Sequence, residues 1–225
     1  MIRKTAMNLT SLKTKLALYS VILILVTSIP IIVTVAILVK KSIYDGHANT
    51  VTQQINMLDH TLNLFYDDLD RNIDMFASSK QVRASDSTLT SYTDKSDIKM
   101  TPSKNGGIEQ EIFESFDNYA KNHPGTLYVY MGTEDGGYIQ WPETGISNNY
   151  DPRKRPWYTK AKDRNGSIIR TDPYEDAVTK SLIVSNARSF KNAQGETYGV
   201  MAIDVSSQKI TEILNDIKLG KTGYA

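Results

Sequence analysis

The sequence predicts an α+β fold in which an N-terminal transmembrane helix leads into a long stalk helix, followed by an antiparallel five-stranded sheet with flanking helices. Three observations carry this. A run of 24 residues between Lys15 and Lys40, LALYSVILILVTSIPIIVTVAILV, holds no charge. The apolar residues Val51, Ile55, Leu58, Leu62, Phe65, Leu69, Ile73 and Phe76 then recur at spacings of three and four, the mark of one helix face. After Pro124-Gly125 the spacing gives way to short β-rich runs broken by glycine-containing turns.

As a helix the charge-free run reaches roughly 36 Å at about 1.5 Å per residue, enough to span a bilayer. It is too long for the apolar region of a cleaved signal peptide, and no small-x-small cleavage site follows it, so a retained anchor at 16–39 is expected. Pro30 sits mid-span, where membrane helices tolerate it. Four cations precede the run (Arg3, Lys4, Lys13, Lys15) and two follow it (Lys40, Lys41), which places residues 1–15 in the cytoplasm and residue 42 onward outside the cell. The stretch 40–78 contains no proline, so the stalk helix rises directly from the span. Its stripe suits burial against the chain's own domain, pairing with a second copy, or both.

From Ser78 to Gly107 the chain is polar and reads as loop with one short helix. Ile108, Ile112, Phe116 and Tyr119 then mark a helix of about three turns that stops at Pro124-Gly125. The strand candidates are Leu127 to Met131, Tyr138 to Trp141, Ser167 to Arg170, Ser181 to Phe190 and Thr197 to Val205, with a hairpin turn at Glu134 to Gly137. Ser206 or Ser207 caps a closing helix with Ile210, Ile213, Leu214 and Ile217 on one face, ended by Gly220.

Composition narrows the function. The 26 basic and 25 acidic residues nearly balance, but residues 1–41 hold six cations and no anion, leaving 20 basic against 25 acidic beyond them. That surplus of anions excludes a nucleic-acid footprint. The absence of cysteine removes disulfides, thiolate metal sites and cysteine nucleophiles. No phosphate-binding glycine loop, zinc-binding helix motif or nucleophile elbow is present. The histidines, His47, His60 and His123, lie on or at the ends of helices with no metal-ligand spacing, so neither an enzyme nor a metal site is expected.

The chemistry concentrates in Tyr150-Asp151-Pro152-Arg153-Lys154-Arg155-Pro156-Trp157-Tyr158 and Thr171-Asp172-Pro173-Tyr174-Glu175-Asp176. Such a cluster suits either proline-fixed loops braced by a surface arginine on tryptophan, or a small zwitterion pocket. In the second case a guanidinium fork takes a carboxylate, aromatic faces exclude water and aspartates face an ammonium group.

The Arg-x-Trp-Tyr run at Arg155-Pro156-Trp157-Tyr158 resembles the signature of double Cache (dCache) sensor domains, found outside the membrane in bacterial methyl-accepting chemotaxis receptors and some sensor histidine kinases. The resemblance covers nearly the whole chain. It implies a PAS-like sheet, a membrane-distal module at 79–205, and at 206–225 a crossover helix leading into a membrane-proximal module that is missing after Ala225 together with the signalling parts. It also implies the amino-acid-binding subset. Arg155 and Trp157 match the pair that holds the ligand carboxylate, and Tyr150 and Tyr158 match the flanking aromatics. Tyr174 and Asp176 match the Tyr-x-Asp that closes over the ligand and receives its amino group, with Asp172 the alternative to Asp176, and Asp204 matches the second amino-group carboxylate. Side-chain choice is assigned to residues among Tyr128, Tyr130, Met131 and Ile183.

The expected function is therefore a cell-membrane receptor whose sensor binds an L-amino acid, needs no cofactor, pairs as a homodimer through the stalk and drives chemotaxis. A histidine kinase, a receptor for amines, organic acids or purines, and an anchored surface module without a small ligand stand as alternatives.

Overall fold

The computed structural model describes residues 12–176, 180 and 182–216. The chain divides into two units, Met1–Asn56 and Met57–Ala225. In the first, every residue from Leu12 is helical and nearly all side chains are exposed. Helix α1 spans Leu12–Ser78 with Pro30 inside it, and its most apolar 18 residues average a hydropathy of 3.0 with none buried. By length and composition α1 can cross a membrane. The expected tail at 1–11 and the expected helix end from Ile217 to Gly220, with 221–225 beyond it, lie outside the described residues.

The second unit is a mixed layer of helices on an antiparallel sheet. After α1 come α2 (Lys80–Arg83), a single 3-10 turn at Pro102–Lys104, and α3 (Gly107–Asn122). Strands β1 (Thr126–Thr133), β2 (Tyr138–Trp141), β3 (Ile169–Arg170), β4 (Tyr174–Glu175), β5 (Leu182–Lys191) and β6 (Thr197–Ser206) follow. Between β2 and β3 lie a 3-10 turn at Pro152–Lys154 and α4 (Pro156–Lys162), and α5 (Ser207–Asp216) closes the unit. The sheet runs β2-β1-β6-β5-β3, with β4 also on β5, every pair antiparallel. The five expected strands are present at nearly their expected limits, and the two-residue β4 is a sixth.

Local chemistry explains the boundaries. The β5–β6 turn is closed by the Asn192 side-chain carbonyl, which accepts from the Gln194 and Glu196 backbone at 3.1 and 2.9 Å, while Gly195 takes φ +88° without steric cost. The Ser206 hydroxyl accepts from the Lys209 backbone N–H at 3.1 Å, so Ser206 is the cap of α5.

Alternation along each strand gives the sheet two different faces. On one, Val129, Met131, Ile139, Met201, Ile203 and Val205 pack against Leu69, Ile73 and Phe76 of α1 and Ile112 and Phe116 of α3. Each such fully buried apolar side chain contributes about 1.5–3 kcal/mol. The stalk stripe thus divides: Leu69, Ile73 and Phe76 are core, whereas Val51 and Ile55 stay exposed. Two ion pairs add to this packing, Arg170 on Asp70 at 2.8 Å and Arg188 on Asp74. The opposite face carries a second, tyrosine-rich cluster that includes Tyr128, Tyr130, Tyr138 and Trp157.

Candidate ligand-binding site

A cavity of about 280 Å³ opens over the tyrosine-rich face. Its floor is set by strand register. Asp204 of β6 lies directly between Tyr128 of β1 and Ser185 of β5, so the three side chains share one face. Asp204 is 3% exposed and accepts a hydrogen bond from the Tyr130 hydroxyl at 2.7 Å. Tyr174, on β4, lies opposite Ile183 of β5 and its hydroxyl meets the Ser185 hydroxyl at 2.7 Å. Asp176 follows β4; it is 7% exposed and accepts from the Tyr128 hydroxyl at 3.2 Å.

The wall comes from the segment before and within α4. Pro156 occupies the first helical position, where its missing N–H is of no consequence, so α4 begins there and Arg155 is its N-cap. The Arg155 guanidinium stands 5.4 Å from the centre of the Tyr150 ring. Among the described residues no carboxylate pairs with it. Arg153, by contrast, is held in a fork by Asp151 at 2.8 and 3.0 Å, so of the neighbouring arginines only Arg155 is available to an anion. Trp157 meets Tyr130 edge-on, with centroids 4.8 Å apart, and Tyr138 meets Tyr150 at 4.6 Å. Gly132 of β1 permits this close seat, because a Cβ there would stand 2.6 Å from the Pro152 Cβ and 3.3 Å from the Trp157 ring.

Six of the seven residues singled out from the sequence, Tyr150, Arg155, Trp157, Tyr174, Asp176 and Asp204, line this one cavity. Tyr158 does not. Successive residues of a helix point about 100° apart, and with Trp157 facing the cavity Tyr158 turns away and donates its hydroxyl to Glu134 at 2.6 Å. Lys162 pairs with the same carboxylate at 2.6 Å, so Tyr158 and Lys162 fasten α4 to the β1–β2 turn and thereby hold Arg155 and Trp157 in place. Asp172, the alternative to Asp176, lines a neighbouring cavity instead. Of the residues proposed for side-chain choice, Tyr128, Tyr130 and Ile183 line the cavity, while Met131 is buried on the helix-facing side. Tyr138 and Gln140, which also line it, were not anticipated; period-two alternation would have placed the two together and excluded Met131.

Burial dominates the electrostatics. Desolvation pushes the Asp204 carboxyl up to about 7; hydrogen bonds from Ser185 and Tyr130 oppose the shift, and the nearby Asp176 charge adds to it. Burial drives Tyr130 and Tyr138 well above the ordinary phenol range, and Tyr128 and Tyr174 to about 12, so all four stay neutral hydrogen-bonding groups. The result is two buried carboxylates on the floor, one exposed guanidinium at the wall and an aromatic lining between them. That arrangement compensates an ammonium group at one end of a small molecule and a carboxylate at the other. Among the described residues no His/Cys/Asp/Glu group is arranged to hold a metal ion.

Comparison with known proteins identifies the family and the fold. The chain is 35% identical over 128 residues to the methyl-accepting chemotaxis protein McpB of Bacillus subtilis strain 168, a match covering 57% of this chain and 19% of that receptor, so it corresponds to about a fifth of the relative's length. Among solved structures, the ligand-binding domain of Mlp24 with asparagine superposes with a TM-score of 0.54 at 23% identity, covering 80% of this chain and 67% of that one. That of the Pseudomonas aeruginosa PAO1 amino acid chemoreceptor PctC in complex with GABA superposes with a TM-score of 0.53 at 21% identity, covering 75% and 66%. At these identities the two structures establish the shared fold. The first PDC sensor domain of methyl-accepting chemotaxis protein-like receptors matches residues 88–212, more than half of the sequence, and the chain belongs to that family.

Proposed function

We propose that this chain is the extracytoplasmic sensing portion of a transmembrane chemoreceptor and that its cavity binds an L-amino acid. One observation carries the reading: two buried carboxylates, Asp176 and Asp204, face the same small cavity as Arg155, a guanidinium without a carboxylate partner among the described residues. The family is one of chemoreceptor sensors rather than enzymes, and both solved relatives named above hold molecules with an ammonium and a carboxylate end.

In this reading the ligand ammonium sits over Asp204 and Asp176, and the Tyr128 and Tyr130 hydroxyls keep those carboxylates aimed. The ligand carboxylate takes the Arg155 fork. Trp157, Tyr150 and Tyr174 exclude water, which strengthens both charge pairs. Residues 16–39 of α1 cross the bilayer with the N-terminus in the cytoplasm, and a second copy pairs along the exposed part of the stalk. Binding biases the packing of the sheet on α1, because β5 lines the cavity with Ile183 while Arg188 on the same strand pairs with Asp74 of α1. A ligand with different affinity for two such packings shifts their populations.

The test is a thermal-shift screen of the full chain in detergent against the twenty L-amino acids, simple amines and organic acids. A ligand at a hundredfold excess over its Kd raises stability by about 2.7 kcal/mol, a shift of several degrees. Shifts with particular amino acids, lost in Arg155→Ala, support the reading. Shifts with amines alone that survive in Arg155→Ala would replace the amino acid by an amine. No shift with any compound would refute small-molecule sensing.

A further inference from the structure

A second cavity of about 310 Å³ adjoins the first. The two share Arg155, Pro156, Trp157 and Tyr174, so the boundary between them is made largely of side chains, and one of those, Arg155, is exposed and held by no carboxylate among the described residues. The lining that belongs to the second cavity alone is Lys160, Thr171, Asp172 and Pro173. Together with the shared rings of Pro156, Trp157 and Tyr174, Pro173 forms an apolar enclosure, with Lys160, Thr171 and Asp172 as its own polar groups. Lys160 lies on the exposed side of α4, and among the described residues it has no ion-pair partner. The amino-acid reading leaves this space and this cation without a role.

Resting on that reading, we infer that the second cavity is a subsite for a group attached at the carboxyl end of the bound amino acid, so that the receptor also takes dipeptides. The direction follows from the placement of charges. The amino end is fixed by Asp204 and Asp176 on the floor of the first cavity, the carboxyl end lies at Arg155, and Arg155 is the boundary; whatever continues past the carboxyl carbon therefore enters the second cavity. In a dipeptide the Arg155 N–H groups donate to the peptide carbonyl in place of a carboxylate, and the Asp172 carboxylate accepts from the new amide N–H. The second side chain enters the ring-lined enclosure, and the terminal carboxylate, displaced by one residue or about 3.5 Å, pairs with Lys160. An apolar or aromatic second residue fits that lining best.

The experiment is calorimetric titration of the full chain in detergent with each L-amino acid X and with the matched dipeptide X-Phe, in wild type and in Lys160→Ala. The expected result is that at least one X-Phe binds and competes with its X, and that Lys160→Ala weakens X-Phe at least tenfold while X stays within twofold. If amino acids bind but no X-Phe competes with its X, the subsite is refuted and the amino-acid reading stands. Equal weakening of X and X-Phe by Lys160→Ala also refutes it, by making Lys160 part of the first site. If neither X nor X-Phe binds, both readings fall.

Discussion

Replacing Asp204 by Asn separates the cost of the cavity floor from its use. Asp204 is 3% exposed, and burial raises its carboxyl from 3.8 to about 7. Because the folded-state value lies above the unfolded one, the folded chain holds a proton that the unfolded chain has lost between about pH 4 and pH 7. The favourable contribution is complete below about pH 4 and disappears as pH rises through 7, above which the folded state carries a buried, unpaired charge. Three pKa units at 1.36 kcal/mol each set a ceiling of about 4 kcal/mol on that penalty. The Asn side-chain carbonyl still accepts the 2.7 Å bond from Tyr130, so part of the penalty is relieved, about 1–3 kcal/mol. Differential scanning calorimetry of the full chain should therefore show Asp204→Asn melting about 2–12 °C above wild type at pH 8, at 2–4 °C per kcal/mol, with the difference shrinking as pH falls and vanishing only near pH 4. The same variant should bind an amino acid at least thirtyfold more weakly, since removing one partner of a desolvated charge pair costs about 2–5 kcal/mol. A variant less stable than wild type at pH 8, or a difference independent of pH, would refute the reasoning.

The same carboxyl makes ligand affinity depend on pH. An ammonium group over Asp204 lowers its pKa in the complex, so Kd measured by calorimetry should tighten as pH rises toward about 7, by up to tenfold per unit, and level off above it; a flat profile from pH 5 to 8 would contradict the placement of the ammonium. Gly132→Ala introduces a Cβ 2.6 Å from the Pro152 Cβ, so the segment that carries Arg155 and Trp157 must move outward. Loss of about 1–3 kcal/mol of stability together with weaker binding is expected from melting and titration, and unchanged values would show that α4 is not seated through this contact. Leu62→Asp places a charge on the half-buried stretch of α1 and should lower either the melting temperature or the sedimentation coefficient of the full chain in detergent; if neither moves, the stripe pairs with nothing there.

Which parts were legible in the sequence follows from how local their causes are. The charge-free run, the α1 stripe and the strands around Val129 and Ile203 announce themselves by composition and period, and they stand where expected. Helix α4 was hidden because Pro152 and Pro156, four residues apart around three cations, read as loop; only the tolerance of a first helical turn for proline turns Pro156 into a start signal. Strand β4 has two residues and owes its conformation to pairing with Ile183, which no local pattern reports. At the site, convergence of Tyr150, Arg155, Trp157, Tyr174, Asp176 and Asp204 on one cavity depends on sheet register across more than fifty residues, and only a family resemblance could suggest it. Tyr158 marks the limit of that resemblance: a motif records that two aromatics are adjacent, whereas the helix decides that one faces the cavity and the other Glu134.

The most direct test of the central claim is a calorimetric titration of the full chain with the twenty L-amino acids, repeated with Arg155→Ala. Arg155 is exposed and braced by no carboxylate among the described residues, so its removal should leave the fold intact and act on the ligand alone. Binding of at least one amino acid with one-to-one stoichiometry, weakened at least thirtyfold in the variant, is the predicted result. Amino-acid binding of equal strength in both proteins would show that the carboxylate is held elsewhere and that this cavity is not the sensor.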